Sequence, residues 1–406
     1  MVTRRSLLRF LALPTALTAL PARAGSIRLV RDGSCLTAER AVTNAAGQMI
    51  CTRAEASTVV RSSAVTHGQQ VTAAMVGRAA AEGLPNFAAL TTRRGATFNA
   101  TQTVRNVNFT GEVTVTSGTV TFEYCTFTSS PAAKRAALLQ YNGGKATGTV
   151  ICNYCDFDSG LRGNAGNFET CGFQAGQRGF LNPATIGKDS AFTLYRCRIE
   201  GFGNNVGVHK YQNQASEITE CLLMNGTLGG GSHVDGIEIY SSDNLTVDRC
   251  RITLPTTNCQ SCINIAPMDI AFPSPGNPIT IVKCYIDGGI APVLTRWSNQ
   301  GIGKNSAIYN VSYIGNRFGD ASAYGRECDF QGMDVTFEAA YAKANPTVIY
   351  WARDNVWAPN GEGVTNSAKA PSGDASAGLP HTPGSFIDQR NFFGGEIFVW
   401  NGRVRP

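Results

Sequence analysis

Apolar and polar residues alternate over short stretches in the middle of the chain, and these stretches resemble one another. Three of them read FTLYRCRI (192–199), LTVDRCRI (245–252) and ITIVKCYI (279–286). A two-residue period is typical of a β-strand with one buried face. No helical pattern of about 10–15 residues lies between them, which disfavours βαβ units. The pattern therefore predicts an all-β chain built from many short strands.

A five-residue phrase recurs with cysteine, and later asparagine, at its third position. Intervals of 26, 24, 29, 34 and 32 residues separate the successive third positions from Cys171 to Asn316. This is one supersecondary unit repeated with insertions of variable length. The copies are EYCTF (123–127), NYCDF (153–157), ETCGF (169–173), YRCRI (195–199), TECLL (219–223), DRCRI (248–252), VKCYI (282–286), IGNRF (314–318) and RDNVW (353–357).

In a coil of such units each rung lies about 4.8 Å above the last, so equivalent residues form ladders. We therefore predict that the seven repeat cysteines stack inside the coil as small hydrophobic side chains. Zinc binding by the C-x-x-C pairs 152–155 and 259–262 is an alternative. Disulfide bonds within 259–262 and between Cys35 and Cys51 are further expectations for an oxidising compartment.

The ends of the chain differ from the repeated middle and divide it into four predicted parts. Residues 1–24 are expected to be an export signal and residues 25–99 an N-terminal cap region. Residues 100–357 form the repeat, and residues 358–406 supply a long loop and a capping segment. The Ala-rich stretch around 70–83 has helical spacing, and we expect it to cover the open edge of the first rung.

The N-terminal segment predicts export. Residues 3–9, TRRSLLR, resemble a twin-arginine signal, and residues 22–24, ARA, form a small-residue cleavage pattern. The formal charge of +6 includes four arginines of residues 1–24, so the mature chain is near +2. The sequence contains no stretch of basic residues interleaved with aromatic residues, the pattern that would indicate nucleic-acid binding. No later apolar run is long enough to span a membrane. We expect a periplasmic or secreted monomer.

Two neighbouring rungs align without gaps at an offset of 29 residues. This places NNVGVHKY (204–211) under HVDGIEIY (233–240), with Val208 and Ile237 both directed inward. Lys210 is out of phase, because it falls at a position that points inward in the next rung.

The same alignment predicts an outer face suited to a carbohydrate. His209 falls beside Glu238, Tyr211 beside Tyr240, and Asn264 continues the row in the following rung. Tyrosine rings offer flat apolar surfaces to sugars, while the polar side chains hydrogen-bond hydroxyl groups. His209 and Glu238 are expected to form a charge-assisted pair. An ordinary solvated sheet face is the alternative.

His233 and Asp235 lie just before the second of these strands, at the rim of the predicted face. Asp235-Gly236 alone is a common turn signal. Two of the four histidines of the chain nevertheless fall in these two rungs, and GTLGGGS (226–232) leaves room for a ligand near the backbone. The sequence therefore predicts that this turn carries part of a site.

The repeat resembles the right-handed, single-stranded parallel β-helix of the pectate-lyase-like superfamily over residues 100–357. His233, Asp235, Gly236 and Ile237 also match a His-x-Asp-Gly-Ile pattern of β-helical carbohydrate-active proteins. Mannuronan C5-epimerases carry Asp-Pro-His-Asp, of which this chain keeps only the histidine and the last aspartate. The calcium-binding acids of pectate lyases have no counterpart that can be matched here.

This resemblance implies an exported enzyme acting on an acidic polysaccharide, most directly a lyase that cleaves a uronate polymer by β-elimination. The reaction needs a base, a group that neutralises the carboxylate, and an acid for the leaving oxygen. Trp297 accompanies Arg296 on a later rung as a substrate-binding pair, and Asp235 would orient His233. The candidates are His233 or His209 as base, Lys210 or Arg296 as neutraliser, and Tyr240 or Tyr211 as acid.

Two other functions stay open. A glycoside hydrolase would use carboxylates, for which Asp235, Glu238 and Asp269 are the candidates. A polysaccharide-binding or cell-envelope protein would need no catalytic group, because the fold alone does not imply activity. No cofactor is required by the sequence, and calcium binding stays open.

Charged residues precede the repeat cysteine in four rungs, as Arg196, Glu220, Arg249 and Lys283. Stacked in successive rungs, these side chains predict a ladder of ion pairs.

Overall fold

The computed structural model of the chain describes most of the repeated middle and short parts of both ends. Its described residues are 28–29, 39–43, 49–53, 65–128, 136–142, 147–160, 170–176, 190–209, 214–226, 234–239, 244–256, 259, 261–265, 279–289, 291–296, 311–322, 329–332, 348–353, 355–358 and 397–400. The chain divides into two compact units, Met1–Thr58 and Val59–Pro406.

The first unit contains an antiparallel sheet of three strands. These strands are Arg28–Leu29, Glu39–Thr43 and Met49–Arg53, and the third lies between the other two. The predicted disulfide partner Cys35 lies outside the described residues.

The second unit contains three sheets whose strands run parallel, apart from one terminal strand. The first sheet contains Thr91–Arg93, Val107–Phe109, Thr126–Thr128, Asp156–Asp158, Arg198–Glu200, Leu222–Met224, Arg251–Thr253, Tyr285–Asp287, Arg317–Phe318 and Val356–Trp357. The second sheet contains Ala96–Phe98, Val113–Val115, Leu138–Gln140, Cys171–Ala175, Asn204–Val208, Asp235–Ile239, Ser261–Ile265, Ala291–Arg296 and Asp329–Gly332. The third sheet contains Gln102–Arg105, Thr119–Glu123, Thr149–Asn153, Ala191–Tyr195, Ser216–Thr219, Leu245–Asp248, Ile279–Val282, Val311–Ile314, Val348–Arg353 and the antiparallel Ile397–Trp400.

The chain visits the three sheets in the same order in every turn, and each strand pairs with its equivalent one turn later. The nine strands of the second sheet mark nine such turns. This architecture confirms the prediction of a single-stranded parallel β-helix. Its interior is filled by stacked apolar side chains; Phe127, for example, stacks between Phe109 and Phe157 with ring centroids 5.3 and 4.6 Å away.

A two-residue corner joins the third sheet to the first. Its first residue has a left-handed backbone, with φ between 49° and 60° from Tyr124 to Gly315, and its second residue turns into the core. The amide of Cys197 donates to Cys221 Sγ at 3.3 Å, and the amide of Cys284 donates to Asn316 Oδ1 at 2.9 Å. The predicted interior ladder is therefore confirmed, and its asparagine copies continue the same hydrogen-bonding role.

Cys171 is the exception in this ladder. It begins the second-sheet strand Cys171–Ala175, and the ladder passes directly from Cys155 to Cys197. Its phrase matched the repeat because Cys171, like the cysteines at the corners, is followed by residues of a short strand.

The predicted disulfide within 259–262 is wrong, because Cys259 and Cys262 are both free and buried. The zinc alternative likewise finds no support in the described residues, where no group of three or more His, Cys, Asp or Glu side chains could hold a metal ion.

The stacked thiols predict that folding requires reducing conditions. The ten cysteines described in the second unit are all free and buried, so in an oxidised, unfolded chain they can form disulfide bonds that the native interior does not contain. We expect oxidised glutathione added during refolding to abolish most of the native yield, measured by circular dichroism. The same oxidant added after folding should change nothing, since the thiols are buried. Equal yields in both orders of addition would contradict this.

The stretch predicted to cap the first rung instead lies along the side of several rungs. It forms three short 3₁₀ helices, Gly68–Gln70, Ala73–Met75 and Arg78–Ala81, rather than one α-helix. The amide of Gly68 donates to the Lys283 carbonyl and that of Gly77 to the Arg196 carbonyl, both at 2.7 Å.

This stretch is held to the corners by apolar contacts as well. Val71 and Val76 pack against Leu222 of the first sheet, and Phe87 packs edge-on against Tyr124 at a centroid distance of 5.7 Å. The stretch follows the corners because their outward carbonyl groups and aromatic side chains complement its amides and small apolar residues.

The predicted ladder of ion pairs at the corners is confirmed for three of its four residues. Arg196 Nε lies 2.8 Å from Glu220 Oε2, and Arg249 Nη2 lies 3.3 Å from Glu220 Oε1. Glu220 is buried, with only 1% of its side chain exposed, so these ion pairs are largely shielded from solvent.

Candidate functional site

Polar side chains gather on the outer side of the second sheet, on three adjacent strands. Asn204–Val208, Asp235–Ile239 and Ser261–Ile265 are buried at every position. In the middle strand Ile237 and Ile239 point into the core, so Glu238 between them points away from it. We call the residues gathered on this side the polar cluster: Asn204, His209, Asp235, Glu238, Ser261 and Asn264.

The register of these strands differs from the gapless alignment by two residues. Val208 pairs with Ile239, an offset of 31 rather than 29, and Gly207 pairs with Glu238. An even shift leaves every side chain on its predicted face, so Val208 and Ile237 do point inward. The alignment failed because the connection from Val208 to the next strand, which begins at Ser216, is two residues longer than the connection from Ile239 to the strand that begins at Leu245.

The predicted pairing of His209 with Glu238 is confirmed by their side chains. His209 Nε2 lies 3.0 Å from Glu238 Oε2, although His209 follows the end of its strand. Asn204 Nδ2 donates to the same Glu238 oxygen at 2.7 Å. The alternative of an ordinary solvated sheet face is wrong here, because Glu238 is 0% and His209 only 3% exposed.

Asp235 is the first residue of its strand rather than part of the preceding turn. Its Oδ1 accepts hydrogen bonds from Ser261 N at 3.1 Å and Ser261 Oγ at 2.7 Å, and its Oδ2 accepts one from Asn264 Nδ2 at 3.0 Å. Burial, and next the negative charge of Glu238, raise the pKa of Asp235 to about 7, against the opposing effect of these donors.

Asn264 lies beside Glu238 in register, as predicted, and suits either protonation state of Asp235. Its Oδ1 has no hydrogen-bond partner within the described part of the chain. The two ends of an amide have nearly the same shape, so a half-turn exchanges Oδ1 and Nδ2. In that orientation Asn264 Oδ1 accepts a hydrogen bond from the carboxyl O–H of a neutral Asp235.

A glycine allows the histidine to reach the cluster. A Cβ atom at Gly207 would lie 3.0 Å from Cys171 Sγ and 3.1 Å from His209 Cε1. Any larger residue at this position would displace one of these two side chains.

The polar cluster therefore contains two buried carboxylates in different surroundings. Asp235 exchanges its proton near neutral pH, whereas Glu238 is held by an amide and an imidazole. Carboxyl groups whose environments separate their pKa values can divide the roles of acid and base. No metal ligand set accompanies them among the described residues.

The structure brings together four predicted site residues, Asp235, Glu238, His209 and Asn264. For Arg296 only the backbone is described, within Ala291–Arg296. The remaining predicted site residues lie outside the described residues: His233, Lys210, Tyr211, Tyr240, Asp269 and Trp297.

Sequence reasoning missed Asn204 and Ser261. Each stands at the start of a second-sheet strand, in register with Asp235. Polar residues at the same first position of three consecutive strands were the available signal, but only the correct register aligns them.

Comparison with known proteins adds no family: no family model, no curated protein and no solved structure matches the chain. Within the described residues, no helix is both long and apolar enough to cross a membrane.

Proposed function

We propose that the chain is an exported enzyme that hydrolyses a polysaccharide with Asp235 and Glu238 as its pair of carboxylates. The observation that carries this proposal is the buried Asp235 carboxyl, whose pKa is raised to about 7 beside Glu238. Glycoside hydrolysis requires one carboxyl that holds a proton near neutral pH and a second that is ionised. The parallel β-helix and the resemblance to pectate-lyase-like carbohydrate-active proteins support the same class of substrate.

In this proposal Asp235 is the acid. Its proton passes to the glycosidic oxygen as the bond to the anomeric carbon breaks. Glu238 assists attack at the anomeric carbon and finally receives the proton of the water that supplies the new hydroxyl group. Ser261 and Asn264 hold Asp235, and His209 holds Glu238.

β-Elimination on a uronate polymer is the second candidate, and the contact of His209 with Glu238 favours it. At 3.0 Å from a carboxylate, His209 is oriented as a base that could take the C5 proton of the sugar. Asp235 would then give its proton to the leaving oxygen. The predicted carboxylate neutralisers, Lys210 and Arg296, belong to this reaction.

A panel of neutral and acidic polysaccharides separates these functions. Each polymer is incubated with the full chain, and both reducing ends and the ultraviolet absorbance of unsaturated uronates are followed. Hydrolysis predicts reducing ends without that absorbance, from at least one polymer. Reducing ends accompanied by the absorbance would replace hydrolysis with elimination. Binding to a polymer without either product would overturn both reactions in favour of a non-catalytic binding protein.

A further inference from the structure

We infer that Asn204 is a positioning residue that fixes the Glu238 carboxylate and the Asp235 backbone in one arrangement for acid–base catalysis. The inference rests on the proposed function for its meaning, but its geometry and its test do not require a known substrate. Asn204 was not a candidate from the sequence. In the proposed reaction it neither gives nor takes a proton, so its role is to position the groups that do.

Both ends of the Asn204 amide are used within the polar cluster. Its Nδ2 donates to Glu238 Oε2 at 2.7 Å, and its Oδ1 accepts from the backbone amide of Asp235 at 3.0 Å. Asn204 is 2% exposed and pairs in register with Asp235 on the next rung. One side chain therefore spans the start of the Asp235 strand and the carboxylate three residues further along it.

The chemistry of an amide suits this place. Its NH₂ group can only donate, so it stabilises Glu238 in the ionised form. The charge on Glu238 is in turn one cause of the raised pKa of Asp235. Asn204 thus helps to keep the proton on Asp235 rather than on Glu238, which is the division that acid–base catalysis needs.

Few other titratable groups face this arrangement. Among the described residues they are His209 on the preceding rung and the thiols of Cys171 and Cys259. A change in the titration of Asp235 after mutation at position 204 therefore reports on the Asn204–Glu238 contact.

Asn204→Ala is the decisive variant, because it removes the donor to Glu238 without adding a charge to the polar cluster. The measurement is a ¹³C NMR titration of the Asp235 carboxyl, assigned with Asp235→Asn. We expect its midpoint to fall by about one pH unit, since Glu238 without this donor holds a proton more readily and its charge then opposes the ionisation of Asp235 less.

Gln174→Ala is the matched control. Gln174 is also a buried amide on this side of the second sheet, in the row of Gly207 and Glu238, but its Nε2 donates to the Gly176 carbonyl. We expect this variant to leave the Asp235 midpoint unchanged. Circular dichroism of both variants checks that they fold.

Equal shifts in the two variants, or an unchanged or raised midpoint in Asn204→Ala, would overturn the positioning role. If Asn204→Ala does not fold, Asn204→Ser provides the test: loss of the amide donor to Glu238 must lower the Asp235 midpoint, and an unchanged or raised midpoint overturns the role. Absence of any polysaccharide product would instead count against the proposed function alone, because the titration needs no substrate.

Discussion

Asp235→Asn is expected to lower kcat for polysaccharide cleavage by about 10²–10⁴-fold, the usual contribution of a general acid. The substitution removes the proton that the leaving oxygen needs while keeping the shape of the side chain. The Asn264 amide, rotated by a half-turn, can still hydrogen-bond to the new side chain, so the fold should persist. Cleavage is measured by the release of reducing ends from the polymer that the panel identifies.

Asp156→Asn is the control for this loss. Asp156 is also largely buried and also has a raised pKa, caused first by burial, but it lies on the first sheet beside Arg198. Removing its charge should leave kcat near the wild-type value. A wild-type kcat in Asp235→Asn, or equal losses in both variants, would remove Asp235 from the reaction.

Asp235 is also expected to make the protein less stable as the pH rises from about 4 to about 7. The folded state holds this proton up to about pH 7, whereas the unfolded chain releases it near 3.8. In that interval the folded state binds more protons, so the free energy of unfolding falls with increasing pH. The difference in pKa corresponds to a total of about 4 kcal/mol.

Asp235→Asn should abolish this fall. The variant is expected to match the wild type near pH 4 and to exceed its free energy of unfolding by up to about 4 kcal/mol at pH 8. Chemical denaturation at both pH values measures the difference. His67, whose pKa is lowered chiefly by burial, contributes with the opposite sign but equally in both proteins. A difference that does not change with pH would contradict the raised pKa.

The fold was predictable because the same position of each repeat is occupied by residue types that serve one physical role. A small side chain is needed after each left-handed corner, and cysteine or asparagine supplies it from Cys125 to Asn355. Strand alternation then follows on either side of that corner. Cys171 misled the alignment because its phrase satisfies the same local pattern on another sheet.

The candidate site was predictable only in part. Alternation alone identified Glu238 as facing away from the core, and a matching position gave Asn264 as its neighbour. Burial could not be predicted, because alternation tells which face a residue occupies but not whether that face is covered. The near-neutral pKa of Asp235 depends on this burial. It also depends on the register between Asn204–Val208 and Asp235–Ile239, which two additional residues in the connection after Val208 had shifted.

The pH dependence of kcat for the wild-type protein tests the central claim most directly. If Asp235 is the proton donor, kcat for reducing-end release must fall as the pH rises, with a midpoint at the pH where NMR shows the Asp235 carboxyl of the enzyme–polysaccharide complex to ionise. In the free protein that pKa is about 7. A kcat that stays constant while this carboxyl loses its proton would contradict the account.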